Sequence, residues 1–325
     1  MRDFLRGMSV ILVSLAVVLS GGLAYRYYKT PKELPAISEE VDIPLTYSLI
    51  EDVYIFDAVK GLTFTLPIEE YIAGCILAHP IDDPQEEFLK AQAVMFYTYI
   101  LGRRAEELSR TTPELMGADI STDVNSYLPF ECPQEKNIAE LKPLISEVLG
   151  AYIAYEGVPI QPAFCKSSGG RTQAAKTVFG KDYPYLRSVE SRHDSGYTTV
   201  TTYTKAEVFG RLSTAKQGFD LYTDPTKWLE VTEAEADGYI TEISVDGRYP
   251  LSGREVAAVL NLPSAKFSVT YNVATECFTF TSFGEGQLVG LSMYGANEMA
   301  RQGKGWREIL LHYYSGVEII NGGNS

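Results

Sequence analysis

Lys166-Ser167-Ser168-Gly169-Gly170-Arg171-Thr172 decides how the chain is read, together with Leu291-Ser292-Met293-Tyr294-Gly295-Ala296 far downstream. Each stretch sits where the hydrophobic period changes. Before the first, Ala151 to Tyr155 and Val158 to Phe164 alternate with the period of strands around Glu156-Gly157, a hairpin signal. From the second, the apolar positions follow a helical period to about Ala300. The Ser-Ser-Gly-Gly turn lacks the G-x-S-x-G elbow of a nucleophile and the G-K-[ST] ending of a phosphate cradle. Strand-to-turn and turn-to-helix features on either side of a long intervening segment make the fold class α+β.

Working outward, a helix is expected from Leu66, with Ile68, Tyr71, Ile72, Cys75 and Ile76 on one face. A second follows Pro84 with Phe88, Ala91, Gln92, Met95 and Tyr99 along one side, and a third spans Ile138 to Leu149 before Gly150. Thr111 to Lys136 shows no period and reads as a long surface loop. A separate α/β segment is expected at about 197–273. There Thr204-Lys-Ala-Glu207 and Ser252-Gly-Arg-Glu255 form capping boxes, and Ile240 to Val245 and Phe267 to Tyr271 alternate like strands. Cys277 to Ser282 is a further strand before the Gly284 to Gly286 turn, and a last helix covers Trp306 to Tyr314.

The 325 residues are 45% hydrophobic and 12% aromatic, as in a globular protein with a core. A formal charge of −14 argues against nucleic acid as a partner. Cys75, Cys132, Cys165 and Cys277 form no CxxC, so neither a zinc knuckle nor a redox pair is signalled. Buried free thiols are expected, with two disulfides the rival in an extracytoplasmic domain.

Met8 to Tyr25 is an uncharged apolar run long enough to cross a bilayer, with Arg2 and Arg6 before it to hold residues 1–7 in the cytoplasm. It reads as a transmembrane anchor at 8–25, followed by a tether at 26–46 and an ectodomain at 47–319, with 320–325 as a tail. The expected location is therefore the cell membrane, single-pass, with the C-terminal domain outside. Gly22-Leu23-Ala24 offers the rival reading, a cleaved signal peptide.

Five segments together resemble one family: Leu66 to Gly74, Lys90-Ala91-Gln92-Ala93-Val94, Lys166 to Thr172 with Tyr183 to Val189, Leu251 to Val256, and Leu311 to Gly316. In this order they are similar to the stage II sporulation protein D (SpoIID/LytB) family. The resemblance implies a SpoIID/LytB-like mixed ectodomain that acts on peptidoglycan. Its members are lytic transglycosylases on glycan strands freed of stem peptides. Such a reaction asks one carboxyl group to protonate the glycosidic oxygen and then accept the proton of the sugar's 6-hydroxyl. The implied partners are peptidoglycan glycan strands, a cell-wall amidase and a membrane partner of the engulfment machinery. No cofactor and no metal is implied.

The family places its catalytic Glu eleven residues before the Lys of the KAQAV segment, and here that position holds His79. An imidazolium beside an oxocarbenium-like transition state is unfavourable, and a neutral imidazole supplies no anion. Where the family reads Gly-His-Gly-Val-Gly-Met-Ser-Gln-Tyr-Gly-Ala, this chain has Gly286-Gln287-Leu288-Val289-Gly290-Leu291-Ser292-Met293-Tyr294-Gly295-Ala296. A relative's metal loop survives only as Gly117-Ala118-Asp119-Ile120, with Ser121, Asn125 and Ser126 after it rather than zinc ligands.

The expectation is a degenerate glycan-binding or scaffolding relative, a pseudoenzyme, with His79, Ser168, Gly169, Gly170, Arg171, Gln287 and Tyr294 lining the groove. The glycines there let backbone amides approach a sugar or a neighbouring loop. The first alternative is an active lytic transglycosylase with a relocated acid, Asp82 or Asp83, and Glu285 as an outside candidate. The second is a protein-binding module of the engulfment complex, its groove filled by Leu288 and Met293. Cys75 and His79 are spaced for one helix face, but no third ligand or orienting carboxylate lies in sequence reach.

Overall fold

A computed structural model describes residues 49–109, 112–124, 126–194, 196–215 and 220–321. The expected flank, anchor and tether at 1–7, 8–25 and 26–46 lie outside the described residues, as does Asn125. Among the described residues no helix is long and apolar enough to cross a membrane. The described chain is mixed α+β and divides into two compact units. The larger holds the chain up to Asp194 and again from Leu288; the smaller holds the segment between, up to Gln287.

The larger unit begins with the antiparallel pair β1 (Asp52–Asp57) and β2 (Leu62–Pro67). Pro67, at φ −54, then turns the chain into α1 (Ile68–Ala78), whose Ile68, Tyr71, Ile72, Cys75 and Ile76 are buried as their spacing requires. α2 (Glu86–Ser109) buries Phe88, Ala91, Gln92 and Met95, and Glu86 and Glu87 complement the dipole in its first turn.

The segment expected as a surface loop is only partly one. Within it β3 (Ile120–Ser121) pairs in parallel with β1, and Ala118, Asp119, Ile120 and Ser121 are buried. A two-residue bridge is too short to show a period. Asp119 anchors it, accepting Arg104 Nε at 2.8 Å and the Tyr54 N–H at 2.9 Å.

α3 (Glu135–Val148) packs on α1 and α2. β4 (Ala151–Tyr155) and β5 (Val158–Pro159) form the expected hairpin, with Glu156 and Gly157 both at positive φ (53° and 79°). β6 (Phe164–Cys165) leads into the Lys166 to Thr172 segment, and α4 (Ala175–Phe179) follows.

The smaller unit contains β7 (Thr198–Thr204), α5 (Lys205–Ala215), β8 (Leu229–Ala234), β9 (Ile240–Val245), β10 (Tyr249–Leu251), α6 (Gly253–Leu260), β11 (Phe267–Asn272) and β12 (Cys277–Phe283). Its two sheets run β10-β9-β8 and β11-β12-β7. Val208, Leu212, Trp228, Ile243, Val256 and Phe280 belong to one apolar cluster between the sheets and helices. Each such side chain contributes roughly 1.5–3 kcal/mol by leaving water.

Both capping boxes form, at Thr204/Glu207 and Ser252/Glu255. The unit extends past the expected bound of 273, because β12 supplies the central strand between β11 and β7. Asp246 is buried behind β9. Burial alone would raise its carboxyl, but Thr223, the Tyr222 N–H and Arg248 all donate to it and hold it at about 2.

On its return, β13 (Leu291–Ser292) joins β6 in parallel. α7 (Met293–Arg301), α8 (Trp306–Tyr313) and β14 (Glu318–Asn321), which pairs with β4, complete the larger unit. The four cysteines are free, and two of them, Cys75 and Cys165, are buried. Cys132 is exposed and Cys277 half-buried, so the expectation of buried thiols holds for only one pair.

Candidate functional site

The β6–β13 register sets Leu291 opposite Phe164 and Ser292 opposite Cys165, which carries the two diagnostic stretches side by side. Gly290 makes this possible. At φ 75° its missing Cβ would fall on the Ala163 carbonyl, which instead accepts the Leu291 N–H at 3.0 Å. Gly295 is required for a different reason. A Cβ there would collide with the Ser191 and Tyr313 hydroxyls, which are hydrogen-bonded to each other at 2.8 Å.

Both stretches close on a residue that the sequence does not single out, Asp194, which is 3% exposed. Its Oδ1 accepts the Gly170 N–H at 2.8 Å, and its Oδ2 accepts the Ser168 N–H at 2.7 Å and the Ser167 hydroxyl at 3.3 Å. The Ser168 hydroxyl lies 3.1 Å from both carboxylate oxygens, and the Ser292 hydroxyl also donates to Oδ2. A buried carboxylate without donors costs several kcal/mol, and here backbone and hydroxyl donors offset that cost.

Ser168 therefore has no exposed surface, and Gly169 is buried with its N–H on the Ser167 hydroxyl at 3.2 Å. Arg171 leaves this cluster for Glu190, 3.1 Å away. Nothing in the sequence marks Asp194. It lies in a short 3-10 turn, Arg192–Asp194, with no periodic neighbours.

His79 occupies the C-cap of α1. Its Nδ1 lies 2.8 Å from the Cys75 carbonyl; a carbonyl only accepts, so Nδ1 carries the proton and any transfer would run through Nε2. The ring stands edge-on to Phe164 at 5.0 Å and is tilted against Phe96 at 5.7 Å. His79 thus borders the residue two places before Lys166. The Cys75–His79 relation runs through the backbone: the Cys75 thiol is buried, and burial pushes it up, away from thiolate chemistry. Among the described residues no group of three or more His, Cys, Asp or Glu is placed to hold a metal.

The loop after His79 is fastened to α7. Buried Asn297 accepts the Gln85 N–H at 2.7 Å and donates to the Asp83 carbonyl at 3.1 Å. Asp83, at φ 48° and with its side chain 79% exposed, points its carboxylate at Arg301, 3.1 Å away. Asp82 is exposed. Asn297 and Arg301 have no sequence signal of their own, because their partners lie more than two hundred residues away.

Tyr294 is half-buried and donates its N–H to the Lys166 carbonyl at 3.0 Å. Leu288 and Met293 are fully packed, with Leu288 at φ 61°. Gln287 and Glu285 belong to the smaller unit, where Glu285 accepts the Tyr197 hydroxyl.

The family model described as Stage II sporulation protein (SpoIID) matches residues 60–155, from β2 through α1, α2 and α3 to β4. The chain is 29% identical to stage II sporulation protein D of Bacillus amyloliquefaciens over 267 residues, covering 78% of this chain and 74% of that protein. The match is to the SpoIID family across this part of the larger unit and to stage II sporulation protein D across most of the chain. The Bacillus subtilis (strain 168) stage II sporulation protein D is 28% identical over the same shares. The amidase enhancer of that strain is 22% identical over 290 residues, 72% of this chain and 38% of that protein.

Proposed function

We propose that this protein serves the bacterial cell wall during sporulation as a SpoIID scaffold that holds peptide-free glycan without cutting it. The observation that carries the reading is the imidazole of His79 at the C-cap of α1, its Nδ1–H given to the Cys75 carbonyl. The family's reaction needs a carboxyl group that is acid and then base, in dry surroundings. A ring packed against two phenylalanines supplies no carboxylate anion to an oxocarbenium-like transition state.

The carboxylates that follow do not replace it. Asp82 is exposed, and Asp83 is exposed and paired with Arg301. Asn297 holds the intervening loop away from any looser arrangement. Half-buried His79, Arg171 and Tyr294 are the side chains offered to a sugar, while Ser168, Gly169 and Gly170 shape the backbone beneath through Asp194.

The relatives named stage II sporulation protein D and amidase enhancer support a place in wall remodelling beside an amidase. The apolar run at 8–25 would tether the domain to the outer side of the membrane.

Co-sedimentation of the purified protein with peptide-free glycan strands tests the reading. Binding that weakens several-fold in Tyr294→Ala and Arg171→Ala is expected. No binding to such strands, or equal binding in both variants, would contradict it.

A further inference from the structure

Among the described residues the smaller unit has four outer strand edges, and three are blunted. β8 carries exposed Glu230 and Glu233 and breaks register between Val231, Glu233 and Ala234. β10 has Pro250 at its centre. β11 packs near the turn Pro225–Lys227. Charge, proline, bulges and covering segments are how proteins keep strand edges from pairing with other chains.

The fourth edge has none of these. β7 reads Thr198-Thr199-Val200-Thr201-Thr202-Tyr203-Thr204, with no charge, glycine or proline, and it pairs with β12 without a bulge. The ladder ends fix its orientation: the Gly284 N–H donates to the Tyr197 carbonyl and the Lys205 N–H to the Glu276 carbonyl. By alternation, Thr199, Thr201 and Tyr203 bond β12, and Thr198, Val200 and Thr202 turn their N–H and C=O groups to the other side. Among the described residues no strand pairs with that side. Val200 is 64% exposed.

The face around it is also uncharged. Val200 stands beside Thr281 and Ser268, and Thr202 beside Thr279 and Thr270, in a chain of net charge −14.

We infer that β7 is a homodimer edge, pairing antiparallel with β7 of a second copy about a two-fold axis through Val200. The strand is its own complement in that register. Val200 meets Val200, Thr198 meets Thr202, and Thr199 meets Thr201, so every cross-strand pair is β-branched and none sets like charges together. The three outward residues of each copy then give and accept one backbone hydrogen bond apiece. The result is a continuous sheet β11-β12-β7-β7-β12-β11. A partner strand carrying charge, or a copy in another register, forfeits this match. Because both copies are strongly acidic overall, added salt strengthens the pairing. This inference does not rest on the proposed function.

Analytical ultracentrifugation and cross-linking test it. The purified protein at roughly 0.1 mM, where contacts of modest affinity are visible, is expected to populate a dimer that Val200→Lys weakens at least tenfold, with an unchanged melting temperature. In a Cys132→Ser, Cys277→Ser background, Val200→Cys is expected to oxidise to a disulfide dimer, since paired Cα atoms lie about 5.5 Å apart. Thr204→Cys, off the two-fold axis, is expected not to. A monomer throughout, a dimer indifferent to Val200→Lys, or equal cross-linking at both positions would overturn the inference.

Discussion

Asp194 and His79 both lie in the larger unit and have opposite characters. Asp194 is a buried carboxylate whose oxygens take donors from two other chain segments, so it ties β6, β13 and the 3-10 turn before the smaller unit into one piece. His79 is half-buried, with its Nδ1 on the Cys75 carbonyl of its own helix and its ring against Phe96 and Phe164. The diagnostic motif residues serve the first, and the expected chemistry belonged to the second. What maintains the family's scaffold is thus physically separate from what would do its reaction, and one can be altered while the other stands.

The comparison breaks most visibly at Asp194→Ala. Removing the acceptor strands two backbone N–H groups and three hydroxyls in the interior, and a loss of about 3–5 kcal/mol is expected in denaturant unfolding. A loss below about 1 kcal/mol would mean that Asp194 is not the tie described.

Asp246 applies the same rule in the smaller unit, and its effect depends on pH. Its folded value of about 2 lies below the unfolded ~3.9, so its stabilisation of about 2 kcal/mol is complete above about pH 5 and fades as pH falls toward 2. Wild type minus Asp246→Asn, followed by thermal melts from pH 7 down to pH 2.5, should show a gap that narrows with acid. A gap that is flat across this range would contradict the assignment.

Next in size is Asn297→Ala, which releases the loop after His79 and costs about 1–2 kcal/mol, with faster amide exchange at Gln85. Smallest is His79→Glu. It changes a half-buried side chain at a helix end, and a change within about 1 kcal/mol is expected. If His79→Glu destabilised the protein as much as Asp194→Ala, the separation of scaffold from chemistry would collapse.

Much of the scaffold is legible in the amino-acid sequence. α1, α2, α3 and α8 announce themselves by apolar period, the two capping boxes by their Ser/Thr and Glu spacing, and the β4–β5 hairpin by Glu156-Gly157. Elements defined by distant partners are not legible there. β7 places threonine on both faces and shows no alternation. β3 is a two-residue bridge inside a stretch that composition assigns to a loop.

The site divides in the same way. His79 stands out by its position in a motif, whereas Asp194, Asn297, Phe96 and Phe164 matter only through contacts that the chain makes after folding. Leu288 holds a backbone conformation that favours glycine, at φ 61°, with its side chain fully buried.

The measurement closest to the central claim is the release of anhydro-sugar ends from peptide-free glycan strands by the wild-type protein and by His79→Glu. The account predicts no such ends from the wild type and their appearance with His79→Glu, because a carboxyl group is then returned to an intact scaffold. Anhydro ends from the wild type would contradict it and assign the acid to another residue, with Asp82 and Asp83 the first to replace.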